Sequence, residues 1–204
     1  NQIAEVSRKF ITKNPSQIKK RLKTLTTKKE PQVILNWVNE SNLFSSLTKT
    51  IGMIKSTHST ADKSLQILAR YNNSKISEDF ISQLEELWEG KILVQRTIHA
   101  AKGLEADFVI VLDLNSIGNG FPSSKNDDPI LNLILSEQDN FQYSEERRLF
   151  YVALTRAKEQ TYLIADNSHP SEFALELETS GYNVKIVGKK ESDNKCPACT
   201  DGKI

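Results

Sequence analysis

A loop with several chemically reactive side chains follows a short apolar run near the middle of the 204-residue chain. Residues 97–105 read Thr-Ile-His-Ala-Ala-Lys-Gly-Leu-Glu, so hydroxyl, imidazole, ammonium and carboxylate groups lie within nine positions. Ligands of open parallel sheets bind at the carboxyl ends of the strands, where we expect this loop to lie. Gly103 permits a tight turn or a close approach of the backbone to a ligand. By itself the loop is a weak indication of a site, because a polar loop usually has no further role.

A second group lies in a helix predicted to run from a cap at Ser144 to about Lys158. Arg156 shares one face of this helix with Leu149 and Val152, which places a guanidinium at the end of an apolar stripe. Such a guanidinium needs a partner. The ordinary partners are the carbonyls at the helix C-terminus or a buried carboxylate. The other partner is a γ-phosphate, whose charge an arginine finger stabilises during phosphoryl transfer. The spacing alone favours the ordinary partners.

Short buried strands alternate with helices along the chain and would position both groups. We predict strands at residues 33–38, 65–69, 92–94, 108–112, 161–165 and 184–187. We predict helices at residues 2–13, after a cap at Ser41 or Asn42, from Ser77 to a stop at Gly90, at 144–158 and at 171–180. The apolar run at 108–112 is typical of a strand that is covered on both faces. The alternation indicates a parallel α/β sheet with helices on both faces.

The composition is that of an ordinary globular domain. Hydrophobic residues make up 38% of the chain and charged residues 26%, and the net charge is +1. This small net charge excludes a strong global attraction to nucleic acid. No apolar run approaches the roughly 20 residues that a membrane span needs, so we expect no membrane partner. The two cysteines form no disulfide framework, which together with the lack of a signal-peptide pattern favours the cytoplasm.

The two reactive groups resemble two sequence motifs of one enzyme family. Residues 97–105 resemble the fifth motif of UvrD/Rep-type superfamily 1 DNA helicases, and residues 145–158 resemble the sixth, whose Thr-Arg-Ala core stands at 155–157. Two long motifs in this order, each beside the expected strand, make a specific match. Similarity to a bacterial branch of the family extends to residues 2–23, 65–71 and 113–122. The resemblance covers about residues 1–180 and implies a RecA-like second motor domain, with a sheet of the P-loop NTPase type.

The resemblance implies an ATP site shared between this domain and a first, N-terminal motor domain of the same chain. Arg156 would act as the catalytic arginine finger on the γ-phosphate, and Glu105 and the Gly103 backbone would border the nucleotide. The Walker A and Walker B motifs are absent from these 204 residues, so the first motor domain would cradle the phosphates and hold Mg²⁺. We therefore expect the sequence to be part of a longer protein and to hydrolyse no ATP alone.

The resemblance also implies a 3′ to 5′ DNA helicase that moves along single-stranded DNA. Thr97 and His99 would contact the strand near its phosphates, and Arg70 would lie along the same track. Lys102 could face either the DNA or the nucleotide. One short helix separates Arg70 from Thr97, where Rep and UvrD carry a large accessory domain, so regulation through such a domain is not implied.

Two other functions are consistent with parts of the sequence. The first is a non-catalytic module, derived from a helicase motor domain, that binds DNA or a protein. The presence of both Arg156 and Glu105 argues against it, because a binding module would not need both. The second is a helicase fused to a nuclease, which is weaker because the sequence has no nuclease-like cluster of carboxylates.

The last residues form a separate region. Residues 1–187 would make up the motor domain, and residues 188–204 a polar linker that reaches the pair Cys196 and Cys199. This pair resembles half of a four-cysteine zinc ribbon of bacterial topoisomerases. Two thiolates cannot complete a tetrahedral zinc site. We interpret the pair as the start of a ribbon that binds Zn²⁺ in a longer protein, and the alternative is a disordered tail with two free cysteines.

Overall fold

A six-stranded parallel β-sheet forms the centre of the domain. The computed structural model describes residues 2–17, 30–39, 43–74, 76–123 and 141–188. The strands are β1 (Val33–Val38), β2 (Ser64–Ala69), β3 (Ile92–Thr97), β4 (Ala106–Leu114), β5 (Ala157–Asp166) and β6 (Val184–Val187). Their order across the sheet is β3-β2-β4-β5-β1-β6, and every neighbouring pair is parallel. All six predicted strands are confirmed.

Helices cover both faces of the sheet. Among the described residues they are α1 (Gln2–Ile11), α2 (Leu43–Thr57), α3 (Glu78–Trp88), α4 (Ser144–Leu154) and α5 (Glu172–Thr179), and a 3₁₀ turn lies at Asn72–Ser74. The helices α1, α4 and α5 bury their apolar side chains in one core cluster, and α2 and α3 bury theirs in a second. Alternate residues of β4 divide between the two clusters, as they must when both faces of a strand are covered. The predicted architecture is therefore confirmed. Within the described ranges, no helix is long and apolar enough to cross a membrane.

Three helices on one face meet around Phe10 of α1. Its ring lies 4.9 Å from that of Phe150 on α4 and 5.0 Å from that of Phe173 on α5. All three side chains are fully buried, and Phe10 meets both neighbours edge to face, an arrangement that the charge distribution of aromatic rings favours. This aromatic cluster fixes α4 in place, and α4 leads to the second reactive group.

The helix α4 is shorter than its sequence pattern predicts. It ends at Leu154 and β5 begins at Ala157, so the predicted end near Lys158 is wrong. The reason is that Ala157 pairs with Ala106 of β4, which draws the chain into the sheet. Arg156 therefore lies in the short link between helix and strand and not on the face of the helix.

The cap residues of α4 and α3 also differ from those that the sequence predicts. Ser144 is the first residue of α4 and not its cap, because the Tyr143 carbonyl accepts the first backbone hydrogen bond of the helix. At the end of α3, the left-handed C-cap is Glu89, with φ 52°, and not the predicted stop Gly90. A Cβ on Gly90 would lie only 2.1 Å from Trp88 Nε1. The glycine therefore allows the Trp88 indole to pack closely and does not itself end the helix.

The ends of α5 agree with the sequence. The Ser171 hydroxyl accepts a hydrogen bond from Phe173 N at 3.2 Å, which is the contact of an N-cap, and Gly181 follows the helix with a left-handed φ of 67°. The predicted caps of α2, Ser41 and Asn42, lie outside the described residues. At α5 the capping serine and the following glycine thus predict both ends of the helix correctly.

Candidate functional site

The predicted reactive loop is a crossover between two strands of the sheet. Residues 98–105, the crossover segment, leave the carboxyl end of β3 and enter the amino end of β4, and β2 lies between these parallel strands. The segment therefore crosses β2 along one face of the sheet. Ile98 and Ala101 anchor it, because both are fully buried in the same core cluster as Leu68 of β2. The expectation that the whole loop lies at the carboxyl ends of the strands is wrong for its second half, because β4 begins at the opposite edge.

The carboxyl edge of the sheet, where β2 and β3 end, carries the first predicted side chains. Thr97 is the last residue of β3 and pairs with Ala69, the last residue of β2. Its hydroxyl accepts a hydrogen bond from Ala100 N at 3.3 Å and so starts the turns of the crossover segment. His99 is exposed on these turns. The structure therefore brings Thr97, His99 and the backbone of Arg70 to one edge.

Arg70 follows β2 at this edge, but its guanidinium is paired inside the domain. Its Nε lies 3.1 and 3.0 Å from the two carboxylate oxygens of Glu146 in α4, and its Nη2 lies 2.6 Å from one of them. Only 15% of the Arg70 side chain and 12% of the Glu146 side chain are exposed. The guanidinium also stacks on the ring of Tyr71, 4.4 Å from its centroid. The contact of Arg70 with DNA stays a prediction, whereas its contact with Glu146 is a property of the folded domain.

The amino edge of the sheet, where β4 and β5 begin, carries the second group. Arg156 lies directly before β5, and its carbonyl accepts a hydrogen bond from Ala106 N at 3.0 Å. Its guanidinium donates to the carbonyls of Val152 at 3.1 Å and Leu104 at 3.3 Å and to the Thr155 hydroxyl at 3.3 Å. Arg156 therefore bonds the C-terminal turn of α4, one of the ordinary partners that the sequence predicts, and also touches the end of the crossover segment.

The Arg156 guanidinium nevertheless makes only weak contacts within the domain. It is half-buried, and its three hydrogen bonds, 3.1–3.3 Å long, go to neutral oxygens. In the part of the chain that the structure describes, no carboxylate forms an ion pair with it. Bonds from a guanidinium to a phosphate are shorter and stronger than bonds to neutral oxygens. An anion at this edge could therefore draw the guanidinium away from the carbonyls.

The end of the crossover segment forms an exposed ridge beside Arg156. Gly103 has a left-handed backbone, with φ +84°, and no described atom beyond its chain neighbours lies within 4 Å of where a Cβ would be. The glycine is therefore required by conformation and not by space. Lys102, Leu104 and Glu105 are exposed. The backbone on both sides of Glu105 is hydrogen-bonded to Arg156, so the structure brings Gly103, Glu105 and Arg156 together.

An ion cluster that sequence reasoning misses lies along the same edge. Lys63 pairs with Glu159 and lies 3.7 Å from Asp107. The Asp107 carboxylate accepts hydrogen bonds from Ser64 N at 2.8 Å and from the Ser64 hydroxyl at 2.7 Å. Burial raises the pKa of Asp107, but these hydrogen bonds and the Lys63 charge outweigh it and hold the pKa below its usual value. Because the partners meet only through the register of β2, β4 and β5, no local pattern could reveal them.

Metal ligands are the last predicted group. Within the ranges given above for the structure, no group of three or more His, Cys, Asp or Glu side chains could hold a metal ion. Cys196 and Cys199 lie outside those ranges, so the zinc site stays a prediction without support from the described residues. The ligands of Mg²⁺ are predicted to belong to the first motor domain.

Comparison with protein families agrees with the resemblance of the two reactive segments. Residues 82–168 match the model of the UvrD-like helicase C-terminal domain, and this stretch includes the whole crossover segment and Arg156. This part of the chain is therefore similar to the UvrD-like helicase C-terminal domain. The family resemblance that the two motifs predict is confirmed.

Two of the sequence relatives are named as DNA helicases. The chain is 34% identical to DNA helicase IV of Escherichia coli (strain K12) over 173 residues, which are 85% of this chain and 24% of that protein. It is 37% identical to the ATP-dependent DNA helicase PcrA of Bacillus subtilis (strain 168) over 86 residues, which are 42% of this chain and 10% of that protein. The chain thus spans a quarter or less of the length of these relatives.

A solved structure has a similar fold. It is the C-terminal domain of a possible DNA helicase from Lactobacillus plantarum WCFS1, which aligns with a TM-score of 0.53 over 92% of this chain and 97% of that chain. The two sequences are 18% identical, so this likeness concerns the fold alone. The predicted fold class, a parallel α/β sheet with helices on both faces, is confirmed.

Proposed function

We propose that this chain is the second motor domain of an ATP-dependent DNA helicase and that it acts when joined to a first motor domain. The supporting observation is the division of the two reactive groups between opposite edges of one sheet. Thr97 and His99 lie at the carboxyl edge, whereas Arg156 and Glu105 lie together at the amino edge. One domain can therefore contact two ligands at once. The names of the relatives point to DNA and ATP as these ligands.

At the amino edge, Arg156 acts as the arginine finger of phosphoryl transfer. Its guanidinium leaves the carbonyls of Val152 and Leu104 and donates to γ-phosphate oxygens, because its planar fork fits two oxygens at once. Glu105 accepts a hydrogen bond from a ribose hydroxyl, and the Gly103 backbone approaches the nucleotide where no Cβ intervenes. These contacts stabilise the charge that develops as the γ-phosphate is transferred to water.

A first motor domain supplies the other wall of the ATP site. The 204 residues contain neither the Walker A lysine nor the Walker B carboxylate that cradle the phosphates and hold Mg²⁺ in P-loop enzymes. We place this domain in the same chain, because the matched residues make up 24% or less of the relatives. ATP binding then closes the cleft between the two domains, hydrolysis opens it, and the grip of the domain on DNA shifts along the strand.

At the carboxyl edge, Thr97 and His99 hold single-stranded DNA. The Thr97 hydroxyl accepts a hydrogen bond from Ala100 N and keeps its own proton for a phosphate oxygen. The exposed His99 donates to a phosphate or stacks on a base. Contacts of this kind tolerate any base sequence and weaken as the salt concentration rises. Alternating grip and release move the enzyme 3′ to 5′, as the resemblance to UvrD/Rep helicases implies.

The test is ATP hydrolysis and duplex unwinding by the full-length protein that contains this chain. We expect single-stranded DNA to stimulate hydrolysis, and we expect unwinding of a duplex with a 3′ single-stranded tail but not of one with a 5′ tail. DNA binding without any hydrolysis would overturn the proposal in favour of a non-catalytic module. Unwinding from the 5′ tail alone would contradict the direction of movement but not the motor function.

A further inference from the structure

A buried carboxylate joins three segments at the carboxyl edge. Glu146 of α4 receives the Arg70 guanidinium at distances of 2.6–3.1 Å. It also accepts a hydrogen bond from Ser123 N at 3.0 Å. The Tyr71 hydroxyl donates to the Ser123 hydroxyl at 2.7 Å and closes the ring of contacts. Glu146 thus ties the end of β2 and the segment after β4 to the first turn of α4.

The end of β2 is in turn fixed to β4. Arg70 N donates to Asp113 Oδ2 at 3.1 Å. Asp113 lies next to the last residue of β4 and has a left-handed backbone, with φ 66°. The Asp113 carbonyl accepts a hydrogen bond from Phe121 N at 2.7 Å, and Phe121 is fully buried. A displacement of the end of β2 therefore either moves α4 with it or breaks this network.

The helix α4 leads from this network to the opposite edge of the sheet. Glu146 lies in its first turn, and Arg156 follows its C-cap. The eleven residues of α4 span about 16 Å at the rise of an α-helix. The Nε of Arg156 is bonded to the Val152 carbonyl in the last turn. The position of the Arg156 guanidinium therefore depends on the position and rotation of α4.

We propose that the ion pair between Arg70 and Glu146 is a positioning device for Arg156 in DNA-stimulated ATP hydrolysis. DNA held at Thr97, which pairs with Ala69 next to Arg70, acts on the end of β2. When the end of β2 moves, the ion pair moves α4 with it, and α4 in turn moves the Arg156 guanidinium at the amino edge. In this role Arg70 and Glu146 touch neither ATP nor the reacting atoms, and Arg70 acts through Glu146 and not through a contact with DNA. This role rests on the proposed function.

The neighbouring ion pair of the same helix offers a matched control. Glu145 pairs with Arg148 one turn further on, but 66% of the Glu145 side chain and 42% of the Arg148 side chain are exposed. Exposed pairs hold geometry weakly because water screens them. Glu145→Gln therefore removes the same charge from the same helical turn as Glu146→Gln, without breaking the buried link to β2.

The experiment measures kcat and KM for DNA-stimulated ATP hydrolysis by the full-length protein, and its Kd for a labelled single-stranded oligonucleotide. We expect kcat to fall about 10–100-fold in Arg70→Gln and in Glu146→Gln, because a displacement of about 1 Å in a reacting group lowers rates by this much. KM for ATP and the Kd for DNA stay close to wild type. The control Glu145→Gln keeps wild-type kcat, and the exchange Arg70→Glu with Glu146→Arg restores part of the loss.

A double-mutant cycle separates positioning from a general loss of structure. If Glu146 acts through Arg156, then Glu146→Gln has little further effect on single-turnover hydrolysis in a protein that already carries Arg156→Ala. If Glu146→Gln lowered hydrolysis by the same factor in wild type and in Arg156→Ala, the proposal would be overturned. It would also be overturned if kcat fell only in proportion to the fraction of the protein that still binds DNA. Arg70→Lys keeps the charge but not the guanidinium fork, so it carries the same test if Arg70→Gln fails to fold.

The remaining outcomes are also decisive. Weaker DNA binding by Arg70→Gln but not by Glu146→Gln would assign Arg70 to the DNA track and overturn the positioning role. Wild-type kcat in both variants would overturn it as well. A wild-type protein whose ATP hydrolysis does not respond to DNA would refute the proposed function itself, and this result is seen before any variant is compared.

Discussion

At the scale of single residues, the crossover segment divides its side chains between two places. His99 is exposed at the carboxyl edge, on the turns that follow β3, and Glu105 is exposed at the amino edge beside Arg156. An imidazole can donate to a phosphate or stack on a base, whereas DNA phosphates repel a carboxylate, which suits a ribose hydroxyl better. The crossing of β2 thus gives the two side chains of one short segment a physical reason to act on different ligands.

We expect alanine variants of these two residues to have opposite effects in the full-length protein. His99→Ala weakens the binding of single-stranded DNA and the coupling of hydrolysis to DNA, with nucleotide affinity little changed. Glu105→Ala weakens nucleotide binding and leaves DNA binding intact. Titrations with labelled single-stranded DNA and with a fluorescent nucleotide measure both affinities for each variant. Equal losses in both titrations for both variants would show that the residues only maintain the shape of the segment.

The left-handed turn at Gly103 can be tested by stability. Because an L-residue in this conformation is destabilised by about 1–2 kcal/mol, Gly103→Ala should lower the free energy of unfolding by about that amount. Gly52 is a matched control, because it is also exposed with open space where a Cβ would be, but it lies within helix α2. Gly52→Ala should raise the free energy of unfolding by about 0.5–1 kcal/mol. Changes of the same sign in denaturant unfolding of the two variants would contradict the conformational argument.

At the scale of elements, one carboxylate of α5 holds three helices together. Glu176 receives the Arg147 guanidinium of α4 at 3.2 and 2.5 Å, lies 3.2 Å from Lys13 just after α1, and accepts a hydrogen bond from the Tyr182 hydroxyl at 2.9 Å. Burial raises the pKa of Glu176, but the hydrogen bonds and charge of Arg147, with the other two donors, outweigh it and leave the pKa below its usual value. The fold therefore favours the ionised form of this carboxylate.

We expect Glu176→Gln to lower the free energy of unfolding at neutral pH by about 3–5 kcal/mol, because it leaves the buried Arg147 guanidinium without its counterion. A depressed folded-state pKa stabilises the protein above the unfolded-state pKa of about 4.3, and this stability is lost as the pH falls through the folded-state value. The variant should therefore lose less stability on acidification than wild type.

Denaturant unfolding at a series of pH values measures this difference. Glu5→Gln is a suitable control, because Glu5 is exposed on α1, and its effect should stay within about 0.5 kcal/mol. If Glu176→Gln had the same acid dependence as wild type, the ionised carboxylate would not be the group that joins these helices.

Local patterns predict the elements of this fold better than their junctions. The strands follow from short apolar runs, and α5 follows from its Ser171 cap and the glycine after it. The end of α4 does not follow, because the helical pattern continues through Arg156 while the pairing of Ala157 with Ala106 ends the helix. That pairing joins residues about fifty positions apart, which no local pattern contains.

The candidate site shows the same limit. The residue types and spacing of the two reactive segments predict a site, but not which edge of the sheet each side chain occupies. That depends on the place of β2 between β3 and β4, so only the strand order sends Glu105 to the edge opposite Thr97. The pairing of Arg70 with Glu146, 76 positions away, is equally invisible in the sequence. The reactive residue types can thus be read from short segments of sequence, whereas their positions in the fold depend on the strand order.

At the scale of the whole molecule, the proposed function gives the domain two ligand-binding edges but only part of an ATP site. We expect the purified chain to hydrolyse no ATP, with or without Mg²⁺ and single-stranded DNA, because without a Walker lysine and a Mg²⁺ ligand the phosphates have no cradle. A sensitive phosphate-release assay measures this. Turnover that Arg156→Ala abolishes would contradict the expectation, whereas turnover that persists in this variant comes from a contaminant.

The central claim is that Arg156 serves catalysis and not only the end of α4. The Arg156 guanidinium donates to neutral oxygens of Val152, Leu104 and Thr155, which is also what a purely structural helix-end arginine would do. Only hydrolysis by the complete enzyme distinguishes the two roles. A lysine at this position keeps the positive charge but loses the fork that fits phosphate oxygens, so it separates charge from geometry.

The most direct measurement is therefore the kcat of DNA-stimulated ATP hydrolysis by full-length Arg156→Ala and Arg156→Lys. We expect kcat to fall by about 10³–10⁵-fold in both variants, as for other arginine fingers, because the charge of the transition state loses its guanidinium. The Kd for single-stranded DNA, measured on the same preparations, should stay close to wild type because Arg156 lies at the edge opposite Thr97. If either variant kept near-wild-type turnover, Arg156 would be only a helix-end arginine, and the assignment of the amino edge to ATP would be wrong.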